Sequence, residues 1–299
     1  MKKIISLILV AVMLLTSIVT LASCGGSDDS DNNADSSKSK KINVYSTYEL
    51  TAESYAFAVA KENTALKESA NELLAELEST GKLKEIINSF FDGNATFTYT
   101  NPVSSVPTGD DRDNYLVVAT NAYFPPFEYY VGNKLTGVDM KIASLLAEKL
   151  GKTLYIYDME FDAVILSVKQ GKADIGMAGM TVNEERLKTI DFTNEYYESA
   201  QVIAVREDDT VFADCKSADA IIEKLSQQGK DFKVGTQNAT TGYMYTAGNA
   251  DFGYDGFKNL TCKGYTTGAL AMRDLANGNV DAVILDKQPA IMIAKSLNK

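Results

Sequence analysis

From residue 115 onward, short apolar runs alternate with stretches whose apolar positions recur every three to four residues. That is the pattern of strands and amphipathic helices taking turns in an α/β fold. Residues 116–119, LVVA, predict a buried strand. A helix is predicted over 139–150, with Ile142, Leu145, Leu146 and Leu150 on one face and Gly151 as its stop. Residues 154–157 predict a second strand. A helix over 162–170 carries Val164, Ile165 and Val168 inward, and 173–177 predicts a third strand.

The alternation pauses after a strand at 202–206, where Glu207, Asp208 and Asp209 break the apolar pattern, and then resumes. Ser217 is placed to cap a helix with Ile221, Ile222 and Leu225 inside. A strand at 233–236 and a helix over 267–277 with Leu270 and Leu275 buried follow. The last strand, 282–285, ends at Asp286, the strand end where open α/β sheets bind ligands. The expectation is two lobes, 114–200 and 207–299, joined through a hinge at 201–206. Upstream, 42–50 reads as a strand joining the second lobe, 51–92 as a crossing strand and two helices of the first lobe, and 93–113 as a linker. Leu66, Ala70, Leu73, Leu74 and Leu77 mark the first of those helices, and Leu83, Ile86, Ile87 and Phe90 the second.

The first residues change the setting. MKKIISLILVAVMLLTSIVTLASC joins two lysines, an apolar run and small residues, the pattern of a secretory leader over 1–23, and LASC resembles a lipobox with Cys24 as the lipidated residue. Residues 24–41 are polar and small, which predicts a disordered tether from a membrane anchor to an extracytoplasmic body. Without Lys2 and Lys3, 27 basic residues face 40 acidic ones, which argues against nucleic acid as a partner.

Composition also narrows the chemistry. With no histidine, and with only Cys215 and Cys262 in the body, the usual zinc sites and every Ser–His or Cys–His nucleophile are excluded. No metal or cofactor is expected. A disulfide between those cysteines is permitted by the compartment and not demanded. Arg186, in the run AGMTVNEERLKTIDFTNEYY, offers a planar fork of donors that fits a carboxylate. The competing reading is a surface pair with Glu184 or Glu185.

Four segments in order, ATNAYFPPFEYY, LTGVDMKIASLLAEKLG, the run from Met159 to Tyr197 and LANGNVDAVILDKQPA, resemble the extracytoplasmic solute-binding proteins of polar amino-acid ABC transporters. The resemblance implies a two-lobed, type II periplasmic-binding-protein-like α/β fold with two mixed sheets, a monomer that passes an amino acid to a membrane permease without a chemical step. It implies that Arg186 pairs with the ligand's α-carboxylate, beside the Thr181 hydroxyl and the backbone at Thr241. Asp286 would receive the α-ammonium with the Gly179 carbonyl, and Phe124 and Phe161 would flank the side chain. Asn121 stands where relatives that bind basic ligands carry aspartate. With no acid found to neutralise a buried cation, an uncharged polar ligand is expected, glutamine first.

Members of this family normally finish with a return crossing and two helices of the first lobe. Here that material resembles 42–91, so joining Lys299 to Lys41 restores the family order and a circular permutation is expected. Two alternatives stay open: a lyase on the same fold, of the cyclohexadienyl dehydratase kind, and a ligand-sensing ectodomain.

Overall fold

The computed structural model describes residues 39–299; the leader, Cys24 and the tether up to residue 38 lie outside them. Two five-stranded sheets organise the described residues. In the first lobe the order is Asp191–Phe192, Ala58–Val59, Ile175–Gly176, Tyr115–Thr120, Thr153–Asp158. The last three strands run parallel, and Ala58–Val59 is antiparallel to both of its neighbours. In the second lobe the order is Ile42–Val44, Gln201–Arg206, Ala282–Asp286, Lys233–Gln237, Thr261–Tyr265. There the last three are parallel, and Gln201–Arg206 runs against Ala282–Asp286. Strands buried on both faces read as continuous apolar runs, which is why LVVA and AVIL stood out in the sequence.

The helices follow their apolar stripes. Val138–Lys149 buries Ile142 and Leu146 and stops at Gly151, whose φ of 64° only glycine adopts without strain. Asn63 caps Thr64–Ser79, its Oδ1 accepting from the Leu66 N–H at 3.3 Å, and Ser217 caps Ala218–Ser226. Leu270 departs from expectation: it lies 41% exposed on Gly268–Ala276, because Ala271, Met272 and Leu275 form the inward stripe instead.

Thr64–Ser79 and Lys82–Phe91 pack into the first-lobe core. Leu66, Leu73, Leu77 and Phe90 share one apolar cluster with Leu116, Val118, Ile142 and Leu146. Ile42–Val44 pairs with Gln201–Arg206, and Leu50 packs with Ile203, Val205 and Ile284 in the second lobe. The end of the chain meets this strand: the Asn298 side chain accepts from the Ile42 N–H at 2.8 Å and donates to its carbonyl at 2.9 Å.

Two boundaries shift. The expected tether ends before Lys40, whose N–H donates to the Ala276 carbonyl, while the Lys41 carbonyl accepts from Glu207. The hinge expected at 201–206 is a full strand of the second sheet; the crossing is made by Glu53–Tyr55 paired with Tyr197–Ser199. Residues 93–113 link their flanking elements as a strap fitted to the first lobe. Tyr99 exchanges two backbone hydrogen bonds with Leu135, Asn101 brackets the backbone of Ile156, and Arg112 forks onto Asp174 at 2.7 and 2.9 Å. Cys215 and Cys262 are both unpaired.

Candidate functional site

The carboxyl ends of strands from both sheets meet at a nearly closed cavity of about 10 Å³. It is lined by Asn121, Phe124, Phe161, Gly179, Thr181 and Arg186 from the first lobe and by Thr241 and Asp286 from the second, so every residue expected to contact the ligand reaches it. That volume is about the space of one water and well below the roughly 300–1,000 Å³ of small-molecule sites, so the lobes must part for a ligand to enter.

Arg186 is placed by its own short helix. Asn183 caps Glu184–Thr189, its Oδ1 accepting from the Arg186 N–H at 2.9 Å, and the side chain turns inward to only 5% exposure. Glu185, one of its rival partners, is taken by Lys188, and among the described residues no acid lies within ion-pair distance of the guanidinium. Nη1 donates to the Thr181 carbonyl at 2.7 Å and Nη2 to the Ala239 carbonyl at 3.3 Å. Burial lowers its pKa to about 10, so it stays cationic at neutral pH. A guanidinium has five donors, and two are used; three remain for an anion.

Asp286 ends its strand 4% exposed and makes no capping hydrogen bond to the helix it begins. Its Oδ1 accepts from the Tyr55 hydroxyl at 2.5 Å, and that hydroxyl in turn accepts from Ser199 Oγ at 3.0 Å. Both crossing strands therefore hold this carboxyl. Burial first, then the nearby Glu53, push Asp286 up to about 7. A cation arriving beside it would restore the charged form.

Two roles expected from the resemblance meet prior commitments. The Thr181 hydroxyl donates to Glu53 Oε2 at 2.7 Å. Asn121 spends its amide as a bridge, donating to the Met159 carbonyl at 2.7 Å and accepting from Gln237 Nε2 of the other lobe at 3.0 Å. Gly179 gives its N–H to Asp139 at 3.0 Å, a bond that does not engage its carbonyl, and a Cβ there would sit 2.6 Å from the Phe124 ring, so only glycine lets that ring reach the cavity. Thr241 differs: its buried Oγ1 lines the cavity with no partner.

Glu128 is the residue that sequence reasoning missed. It lines the cavity, is fully buried, and as a carboxylate finds no donor for either oxygen among the described residues; its polar neighbour is another acid, Asp139, with which it shares a hydrogen bond once protonated. Burial first, then the neighbouring Asp139, push its pKa well above the carboxylate range. Asp139, itself raised to about 6 by burial, accepts from the Tyr196 hydroxyl at 2.6 Å. A usable signal was present: a lone acid inside the apolar run FPPFEYYV. The expectation of an uncharged ligand rested on finding no such acid near Asn121.

A model of the bacterial extracellular solute-binding proteins, family 3, matches residues 116–286. The chain is 34% identical over 113 residues to the arginine-binding extracellular protein ArtP of Bacillus subtilis (strain 168), covering 38% of this chain and 44% of that one. It is 31% identical over 182 residues to ABC transporter arginine-binding protein 1 of Escherichia coli (strain K12), covering 59% and 63%. The chain thus spans less than two thirds of either relative. Among solved structures it is similar to the ancestral amino acid-binding protein AncCDT-1, a precursor of cyclohexadienyl dehydratase. The TM-score there is 0.53 at 28% identity, over 62% of this chain and 76% of that one.

Proposed function

The chain belongs to the bacterial extracellular solute-binding proteins, family 3, and from that premise we propose that its cleft closes on a free amino acid with a cationic side chain, arginine foremost. The observation that carries the reading is Arg186, buried without a counter-ion in the same cavity as the Asp286 carboxyl. A zwitterion supplies the missing partner to each, and a ligand lacking either group leaves a buried charge unpaired at a cost of several kcal/mol. Phe124 and Phe161 flank the aliphatic stem, and Glu128 receives the donor-rich end. A second reading, glutamine, is favoured by the raised pKa of Glu128, since a protonated carboxyl pairs with a neutral carboxamide without losing its proton.

The protein acts without a chemical step, passing its ligand to the permease of an ABC importer while Cys24 holds it to the membrane by lipid. The names of the relatives, arginine-binding proteins and a component of an ABC transporter, support the transport role over the lyase alternative. The element order supports a circular permutation. Residues 42–91 supply a crossing strand and helix pair to lobes formed mainly by later residues, and Asn298 brackets Ile42.

A thermal-shift screen of the twenty amino acids tests the reading. Ligand at a hundred times its Kd adds about 2.7 kcal/mol to stability, and arginine is expected to give the largest shift. Arg186→Ala should abolish it while leaving the unliganded transition in place. A shift that survives in Arg186→Ala refutes the carboxylate role.

A further inference from the structure

The guanidinium of Arg186 is held from both lobes. Its carbon lies 5.5 Å from the centre of the Phe161 ring, in its own lobe, and 5.9 Å from the Phe252 ring, which the second lobe supplies. Both distances fall within cation–π range. The Nη2 hydrogen bond to Ala239 also crosses to the second lobe. Ala239 adopts φ of 60°, the one non-glycine residue with positive φ among those described, a conformation disfavoured for residues with a Cβ.

Phe252 sits on a braced hairpin. Asn249 and Tyr254 exchange two backbone hydrogen bonds at 2.8 and 3.0 Å, and the turn between them closes at Gly253 with φ of 75°. At the base, Gly248 and Gly256 approach so closely that a Cβ on Gly256 would lie 2.2 Å from the Gly248 nitrogen. The Tyr245 ring, on the helix Thr241–Ala247, packs edge-on against Tyr254 at 5.5 Å and Phe257 at 5.6 Å. The half-buried Phe252 is therefore carried by a rigid arm to the mouth of the cleft.

We propose that the hairpin 248–256 is a closure latch, with Phe252 the positioning residue that, together with the Ala239 carbonyl, grips Arg186 from the opposite lobe. The inference rests on the reading of Arg186 as the carboxylate donor. Two rings lie within cation–π distance of the guanidinium and two carbonyls take donors from it, so its remaining N–H groups are aimed and desolvated only when the lobes are closed. The latch slows ligand escape and leaves ligand entry unaffected, because the open cleft lacks the second-lobe contacts.

Stopped-flow binding of L-arginine and L-glutamine to the full chain carrying Phe252→Ala, Phe252→Leu or Phe252→Tyr tests this. Losing one cation–π contact should speed dissociation about threefold to tenfold, with the association rate within about twofold of the parent. Tyrosine should restore slow release; leucine should not. An unchanged dissociation rate in Phe252→Ala, or full rescue by leucine, overturns the latch while leaving the amino-acid reading intact. If the parent binds neither probe, that reading fails separately. The latch is then judged by the distance between spin labels on the two lobes of the unliganded protein: Phe252→Ala should shift it toward the open form, and no shift overturns the proposal.

Discussion

Replacing Glu128 by glutamine changes one atom at the floor of the cavity and separates a cationic ligand from a neutral one. The carboxyl is fully buried and, apart from its shared proton with Asp139, meets no donor among the described residues, so a guanidinium reaching it gains charge-assisted hydrogen bonds contributing about 1.5–3 kcal/mol each. Against that stands deprotonation. Each unit by which the raised pKa of Glu128 exceeds the solution pH subtracts about 1.4 kcal/mol. The net expectation for Glu128→Gln at neutral pH is arginine affinity lower by about 10- to 100-fold, or about 1.4–2.7 kcal/mol, with glutamine affinity within about threefold of the parent. Calorimetry in two buffers of different ionisation enthalpy provides the assay: arginine binding to the parent should release a proton from the Glu128–Asp139 pair, and binding to the variant should release less. The unliganded variant should also melt higher at neutral pH. A carboxyl whose folded pKa is raised makes the folded state bind more protons, so its stability cost grows as pH climbs above the unfolded value near 4.5 and is absent below it. Equal arginine affinity in parent and variant refutes Glu128 as the side-chain acceptor.

Asp286 sets the acid limb of binding. With its pKa pushed up to about 7 in the empty cleft, it must lose a proton before it can pair with an ammonium group, so affinity for glutamine should fall by up to about tenfold per unit below pH 7 and level off above it; a flat calorimetric profile from pH 5.5 to 8.5 contradicts this. The element order gives a second test. A gene that joins Lys41 to Lys299 and opens the chain between residues 103 and 109, beside the exposed Ser104 and Ser105, should yield a folded protein with the parent's thermal shifts. Failure of that variant to fold, with the parent folding normally, counts against the permutation.

Much of the framework was legible in the chain itself, because local periodicity reports burial directly. Strands read from LVVA and AVIL lie in the two sheets, and the stripe of Ile142 and Leu146 faces the core. Asp286 was legible as the end of a strand, where open α/β sheets bind ligands, and Arg186 through its donor chemistry and the family resemblance; the Asn183 cap and short helix that turn Arg186 inward are visible only in the structure. Leu270 was misread because two adjacent stripes on one helix offer almost the same apolar period, and only the neighbouring sheet decides which is buried.

What the sequence by itself determined was the alternation of elements, the two-lobed plan and the residues that carry charge to the cleft. The tertiary structure decided which partners those residues already have. Thr181 is committed to Glu53 and Asn121 to Gln237, whereas Glu128, two residues past a proline pair and outwardly an ordinary strand acid, is buried against a second acid, Asp139, with no donor among the described residues. The reason is physical: hydrophobic period is set by a residue and its near neighbours, but satisfaction of a buried polar group depends on atoms brought from distant parts of the chain. Glu128 and Asp139 are eleven positions apart, Arg186 and Ala239 fifty-three, and Tyr55 and Asp286 two hundred and thirty-one. No local pattern records those meetings.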